Sequence, residues 1–101
     1  MREAAGILEV FGCVAAFVAA DAAAKAANVR IESIDKNKPA NADALPVPLI
    51  TCLKIRGSVA DVNAAMDAAE EAANSITGVV TRYIIPAPSE DTEKMLRLSA
   101  I

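Results

Sequence analysis

The sequence predicts an α+β fold, a ferredoxin-like α/β sandwich with the element order βαββαβα and a four-stranded antiparallel sheet. The first observation is the alternation of strand-length apolar runs with longer alanine-rich or 3.6-periodic runs. The second is the order of these runs, which contains two split β-α-β halves around one antiparallel sheet. The third is the length of 101 residues, which suits a single domain over residues 1–101.

A strand and an alanine-rich helix open the chain. Residues 5–10 form an apolar strand that ends at Phe11-Gly12, and a helix is expected over residues 13–27. Alanine has the highest helix propensity and a small side chain, so this helix can approach neighbours closely on more than one side. We therefore expect it to lie between the sheet and a neighbouring subunit. Its larger apolar side chains are Val14, Phe17 and Val18.

The end of this helix leads into the second strand. Lys25 complements the negative end of the helix dipole, and Asn28 is expected to stop the helix in the left-handed conformation. A strand is predicted over residues 29–35. Strict alternation places on one face Ile31 and Ser33, and on the other Arg30, Glu32 and Ile34.

An irregular segment over residues 36–48 separates the second and third strands. It contains three prolines and two asparagines, which oppose both a helix and a central strand. A connection of this length inside a small domain is usually functional or disordered, so the segment is the best candidate for a functional site. Charged residues in and beside the segment, Lys36 and Lys38 against Asp35 and Asp43, sum to zero per chain.

The second half contains a strand–helix–strand unit and a terminal helix. The third strand covers residues 49–56, and Gly57 ends it. Ser58 caps the second helix together with Asp61, and the helix closes at residues 74–78. The fourth strand covers residues 79–85, Pro86-Ala87-Pro88 ends it, and a short helix begins at Ser89. At helical spacing, the second helix carries an apolar stripe of Val62, Met66, Ala69, Ala73 and Ile76.

The composition argues against several classes of function. The net charge is −3 and no basic stripe is interleaved with aromatics, so no nucleic-acid partner is expected. The longest uncharged stretch, residues 10–20, is about half of the ~20 residues that a membrane span needs, so no membrane partner is expected. The chain has no histidine, the commonest general base and metal ligand, so we predict neither an enzyme nor a metal or cofactor site. Cys13 and Cys52 are expected as reduced thiols.

Four short segments carry a family resemblance. In residues 9–29, Gly12, Asp21 and Lys25-Ala26-Ala27-Asn28-Val29 resemble the opening helix of the bacterial microcompartment shell-protein domain, the BMC domain. The other three segments also stand in the order expected for that family. They are Gly6-Ile7-Leu8-Glu9, Ile55-Arg56-Gly57-Ser58-Val59 and Ile84-Ile85-Pro86-Ala87-Pro88.

The resemblance implies a structural, self-assembling shell protein of the single-domain, hexamer-forming type. Such homohexamers tile with other shell proteins into a semipermeable microcompartment shell in the cytoplasm, which can enclose enzymes. The loop between the second and third strands would line a pore on the six-fold axis for small polar metabolites. Nearest the axis we expect Asn37, Lys38, Pro39, Ala40 and Asn41. At the hexamer edge we expect Lys25, Asn28, Pro86, Ala87 and Pro88.

Two departures from the family pattern leave alternatives open. The pore loop is long and has no glycine, which resembles divergent shell proteins of glycyl-radical-enzyme compartments, some of which bind an iron–sulfur cluster at the pore. A pore-bound cluster would need thiolate ligands, and Cys52 lies in a strand rather than in the loop. Ala87 replaces the arginine that many members have between the two prolines. A ferredoxin-like small-molecule-sensing regulator, a dimer or trimer with a ligand cleft between subunits, is the alternative from another class.

Overall fold

The computed structural model describes residues 3–99 and contains four strands and three α-helices in the predicted order. The strands are β1 (Ala4–Phe11), β2 (Arg30–Asn37), β3 (Ile50–Gly57) and β4 (Val79–Ile85). The helices are α1 (Cys13–Ala26), α2 (Val59–Asn74) and α3 (Glu90–Leu96), and a 3₁₀ turn covers Ala42–Ala44. The predicted α+β class and four-stranded antiparallel sheet are confirmed, with element boundaries that differ by one or two residues.

The sheet has the strand order β2-β3-β1-β4, and all neighbouring strands are antiparallel. At one end of the sheet, which we call the tail end, Ala4 pairs with Gly57 and Ala5 pairs with Ile85. At the opposite end, the loop end, Ile50 pairs with Phe11 on one side and with Asn37 on the other. The connection between β2 and β3 therefore leaves the sheet at the loop end.

A bulge in β2 overturns the predicted alternation of its side chains. Ile31 pairs with Ile55, but Ser33 pairs with Lys54, so Glu32 is an extra residue in the ladder. The extra residue reverses the faces that follow it. Ile31 consequently shares the helix side of the sheet with Ile34, whereas Ser33 faces the opposite side. The prediction that Ile31 and Ser33 lie on the same face of the sheet was wrong, because it assumed strict alternation of side chains and a bulge interrupts that alternation.

The main core lies between the sheet and the pair of helices α1 and α2. The largest fully buried side chains there include Leu8, Leu53, Ile55 and Met66. The stripe predicted for α2 is confirmed for Val62, Met66, Ala69 and Ala73, which are all buried. Ile76 is 47% exposed, because α2 ends at Asn74 and Ile76 lies beyond it.

The start of α2 agrees with the prediction, whereas the end of α1 does not. The Ser58 hydroxyl accepts a hydrogen bond from the Asp61 amide at 3.1 Å and donates to the Asp61 carboxylate at 2.9 Å, as predicted. At the end of α1, Ala27 is extended, with φ −156° and ψ 171°. Asn28 is not left-handed, since no non-glycine residue among 3–99 has a positive φ. The break at Ala27 is closed instead by a hydrogen bond from the Val29 amide to the Ala27 carbonyl at 2.9 Å.

The third helix lies on the other face of the sheet, across β2 and β3. The Ser33 hydroxyl donates to the Leu96 carbonyl at 2.7 Å, and Leu96 is 3% exposed. We call this side the α3 face of the sheet. Over residues 3–99, none of the helices has both the length and the apolar character needed to span a bilayer.

Candidate functional site

The first helix turns its larger apolar side chains away from the core. Val14, Phe17 and Val18 are 67%, 53% and 37% exposed, and we call these three residues the α1 stripe. The buried side of the helix consists entirely of alanines, at positions 15, 16, 19, 20 and 23. Helices on a protein surface normally bury the wider apolar side chains and expose the polar ones. An exposed apolar stripe of this kind marks an interaction surface.

Lys25 lies in the last turn of α1, on the surface. Its ammonium contacts the Asp21 carboxylate at 2.6 Å, one helical turn earlier, and the two side chains are 75% and 62% exposed. An exposed pair of this kind contributes little stability. Lys25 is therefore available for contact with another molecule.

Asn28 is exposed beside the last residue of β3. A Cβ atom on Gly57 would come within 3.0 Å of the Asn28 carbonyl oxygen and 3.1 Å of the Val29 side chain. Gly57 therefore permits the connection from α1 to β2 to cross the end of β3 closely. This close crossing gives a structural reason for the glycine within Arg56-Gly57-Ser58, a segment that also carries the family resemblance.

The Pro86-Ala87-Pro88 segment leaves β4 at the tail end of the sheet. Ile85 pairs with Ala5, so the segment lies at the tail end, as Lys25 and Asn28 do. It follows β4 at one edge of the sheet, whereas Lys25 and Asn28 precede β2 at the other edge. Pro86 and Ala87 are exposed, whereas Pro88 is fully buried. An exposed role at an edge is thus open to Pro86 and Ala87, and Pro88 packs within its own subunit.

The predicted pore residues lie at the loop end. Asn37 is the last residue of β2, and residues 38–41 connect it to the 3₁₀ turn. Asn37, Lys38, Ala40 and Asn41 are exposed, and Pro39 is half-buried. The structure therefore places all five predicted residues together at one end of the molecule.

The remainder of the central loop is folded rather than extended. Ala42 is 3% exposed, and the Ala44 amide donates to the Asn41 carbonyl at 2.9 Å. Further on, the Gly12 amide donates to the Leu49 carbonyl at 2.8 Å, and a Cβ atom on Gly12 would lie 3.5 Å from the Val47 side chain. Gly12 has φ 86°, a conformation that favours glycine. The loop is thus fastened to the junction between β1 and α1.

The two cysteines lie outside the central loop. Cys52 lies in β3 between Glu9 and Asp35 of the neighbouring strands. Burial raises the pKa of the Cys52 thiol, the Lys54 charge opposes the shift, and the two carboxylates add to it. Since a thiolate is the form that binds metals, this environment disfavours Cys52 as a ligand. Within residues 3–99, no three His, Cys, Asp or Glu side chains are grouped as metal ligands would be.

Sequence reasoning missed a buried cationic strip on the α3 face of the sheet. Lys54 and Arg56 are 8% and 2% exposed, because α3 covers them. The Arg56 guanidinium contacts the Glu93 carboxylate, and this hydrogen bond raises the Arg56 pKa. The sequence did contain a signal for this strip. Lys54 and Arg56 lie two residues apart, on the strand face away from the core, and the terminal segment contains Glu93 three residues before Leu96.

A small cavity of about 260 Å³ opens at the tail end, between the start of β2 and the start of α2. Arg30, Arg56, Ser58 and Asp61 are among the residues that line it. Arg30 contacts the Glu3 carboxylate at 2.7 Å and also pairs with Glu32, and these hydrogen bonds raise the Arg30 pKa. The Arg30 guanidinium at this cavity is thus engaged by neighbouring carboxylates.

Comparison with known families and proteins gives consistent matches. A family model described as the BMC domain matches residues 4–88. The bacterial microcompartment shell protein PduA of Citrobacter freundii is 38% identical over 95 residues, covering 94% of this chain and 92% of the relative. The shell protein EutM of Salmonella typhimurium is 35% identical, with coverages of 96% and 92%. The carboxysome shell protein CcmK3 of Halothece sp. is 33% identical, with coverages of 98% and 90%.

A solved structure supports the same assignment. The crystal structure of a microcompartment protein from Desulfitobacterium hafniense DCB matches with a TM-score of 0.73 at 26% sequence identity. The match covers 93% of this chain and 48% of that one, so the chain spans about half of that structure. The family-model match and the similar relatives show that this chain belongs to the BMC-domain family, the family of bacterial microcompartment shell proteins.

Proposed function

We propose that this chain is a structural subunit of a microcompartment shell that assembles as cyclic homohexamers around an axial pore. In this role, residues 1–101 act as one domain without catalytic activity. Small polar metabolites would pass through the pore, while the wall retains reactive intermediates. Support comes from family membership and from the arrangement of three surfaces: the α1 stripe, the loop end and the tail end.

The α1 stripe is the observation that carries the proposal. Phe17 and Val14 are more than half exposed, although the helix that bears them packs on the core through alanines alone. Apolar surface removed from water contributes about 25 cal/mol per Å², so a second copy that covers the stripe would gain stability. In a ring, each interface joins two different patches of the same chain, and the stripe would supply one of them.

The two ends of the sheet support the placement of pore and edge. Strands of eight residues span roughly 26 Å, so the residues at the loop end and those at the tail end lie far apart. We place Asn37, Lys38, Pro39, Ala40 and Asn41 around the axis, and Lys25, Asn28, Pro86 and Ala87 on the periphery. Pro88 would support the peripheral segment from inside the subunit. Other shell proteins would meet the periphery, and encapsulated enzymes would meet one face of the ring.

Native mass spectrometry and negative-stain images of the full chain test the proposal. We expect an oligomer of six times the 10.4 kDa subunit mass with six-fold symmetry. A monomer at high protein concentration, or a dimer or trimer, would contradict it.

A matched pair of variants tests the α1 stripe. Phe17→Asp should shift the hexamer to monomers, because a charge cannot be buried unpaired in an apolar contact. Val59→Asp is the control, since Val59 is 45% exposed at the start of α2, near the tail end, and should leave the hexamer intact. Circular dichroism checks that both variants fold. A folded Phe17→Asp variant that remains hexameric would remove the stripe from the interface.

A further inference from the structure

The bulge in β2 decides which face of the sheet each of its last charged side chains occupies. Beyond the bulge, Lys36 pairs with Thr51 and Asp35 pairs with Cys52. Paired residues of neighbouring strands point to the same face. Thr51 is fully buried on the helix side of the sheet, so Lys36 extends into solvent on that side, whereas Asp35 and Cys52 face the α3 side. Without the extra residue Glu32, the two charges would exchange faces.

Two carboxylates lie on the α3 face near the loop end. Cys52 pairs with Glu9 on one side and with Asp35 on the other, so the three side chains form a row across three strands. The Asp35 carboxylate accepts a hydrogen bond from the Lys36 amide at 2.9 Å, which holds it against the strand. Lys54 follows Cys52 on this face, but its ammonium is buried and donates to carbonyls at and just beyond the end of α3. This end of the face therefore presents negative charge to solvent.

Both charged positions lie close to the proposed axis. Asp35 and Lys36 are the two residues before Asn37, which ends β2, and strand residues advance by about 3.3 Å each. The inference rests on the proposed hexamer, in which residues 37–41 surround the pore, and a cyclic ring repeats every charge around its axis. The mouth of the pore on the helix side would then carry a ring of Lys36 side chains. The opposite mouth would carry rings of Asp35 and Glu9.

We propose that the pore is sided, with a basic mouth at Lys36 on the helix side and an acidic mouth at Asp35 and Glu9 on the α3 side. Rings of like charge at a pore select the sign of the ions that enter it. Small anions such as carboxylates and phosphates collect at the basic mouth, and small cations such as protonated amines collect at the acidic mouth. Lys38 and Asp43 of the connecting segment have opposite signs and lie beyond the strand. The zero net charge of this region thus consists of charges separated by the sheet.

The two native cysteines can report the charge at each mouth. Cys52 lies between the two carboxylates, and the Cys13 sulfur accepts from the Thr51 hydroxyl at 3.8 Å, beside Lys36 on the helix side. Each thiol of the full-length hexamer is modified by a cationic trimethylammonioethyl or an anionic sulfonatoethyl methanethiosulfonate, and mass spectrometry of peptides gives the two rates. The ratio of cationic to anionic rates removes differences in thiol pKa, because both reagents react with the same thiolate.

Two charge-removing variants should move these ratios in opposite directions. Lys36→Gln should raise the ratio at Cys13 about threefold, because a positive charge near the thiol is lost. Asp35→Asn should lower the ratio at Cys52 about threefold, because a negative charge is lost. Lys25→Gln is the matched control, since Lys25 lies ~18 Å along α1 from Cys13, beyond the Debye length of about 10 Å at 0.1 M salt. It should leave both ratios unchanged.

Native mass spectrometry of the same samples separates failure of this inference from failure of the proposed function. Unchanged ratios in a hexameric protein would overturn the sided pore and leave the hexamer in place. Charge-dependent ratios in a monomeric protein would remove the ring, and with it both the proposed function and the two mouths. Should Asp35→Asn lose its fold by circular dichroism, Glu9→Gln replaces it, with the same expected decrease at Cys52.

Discussion

Gly6 of β1 and Met66 of α2 are in direct contact, so close that a Cβ atom at position 6 would come within 2.8 Å of the Met66 sulfur. The same Cβ would lie 2.9 Å from the Val62 side chain and 3.0 Å from the Ile55 side chain. Met66, Val62 and Ile55 are all fully buried. The glycine lets α2 approach the sheet closely, and the helix leaves no space there for a methyl group.

Gly6→Ala should therefore destabilise the fold by about 1–3 kcal/mol through overpacking. The free energy of unfolding from urea titration is the measurement. Met66→Ala supplies the control in a double-mutant cycle, because it costs about 2–5 kcal/mol alone and should cost less when Gly6→Ala is present. Strictly additive losses of unfolding free energy would show that the methyl group added at position 6 does not press on Met66.

Two serine caps should differ in their effect on global stability. Ser58 accepts from the Asp61 amide at the start of α2, and Ser89 accepts from the Thr92 amide at 3.2 Å at the start of α3. Ser58→Ala should lower the free energy of unfolding by about 1 kcal/mol, since α2 belongs to the main core. Ser89→Ala should leave global unfolding nearly unchanged and raise hydrogen exchange in α3. A larger global loss from Ser89→Ala than from Ser58→Ala would contradict this ranking, which rests on Leu96 being the one buried residue of α3.

The Cys52 thiol should make stability depend on alkaline pH. Burial raises the pKa of this thiol above its ordinary value of 9.0. The folded state then holds the proton more tightly than the unfolded state, so the stabilising contribution is complete below pH 9.0 and is lost as the pH rises through the folded pKa. Between about pH 8 and pH 10.5, the urea midpoint of Cys52→Ala should fall less than that of the wild type.

Cys13→Ala is the matched thiol deletion for this experiment. Cys13 lies at the start of α1, where its sulfur accepts a weak hydrogen bond from the Thr51 hydroxyl at 3.8 Å. Parallel curves for wild type and Cys52→Ala would mean that this thiol has no part in the pH dependence. The same raised pKa works against Cys52 as a cluster ligand in the redox alternative.

Single cysteines can locate the pore and the edge of the proposed ring. In a background of Cys13→Ala and Cys52→Ala, we expect Ala40→Cys to bring six thiols near the axis, where a short bismaleimide links neighbouring subunits within one ring. Ala87→Cys should give such links only after rings associate into sheets. Denaturing gels of dilute and concentrated samples provide the measurement. Efficient linking of Ala87→Cys in isolated rings, with none for Ala40→Cys, would reverse the proposed orientation.

Much of the fold could be predicted because local signals and tertiary structure agree. The alanine-rich run, the Ser58–Asp61 cap and the apolar spacing of α2 each depend on neighbours in sequence, and the structure confirms them. Asn28 shows the limit of such a signal. Asparagine in general tolerates the left-handed conformation, but here α1 ends through an extended Ala27 instead.

By itself, the sequence determined the order of strands and helices and the family. These follow from local periodicity, caps and ordered motifs. Only the tertiary structure decided the bulge at Glu32, the outward direction of Phe17, the burial of Pro88 and the pairing of Arg56 with Glu93. Each of these depends on which distant residue lies opposite, because strand register and the docking of α3 join positions far apart in the chain.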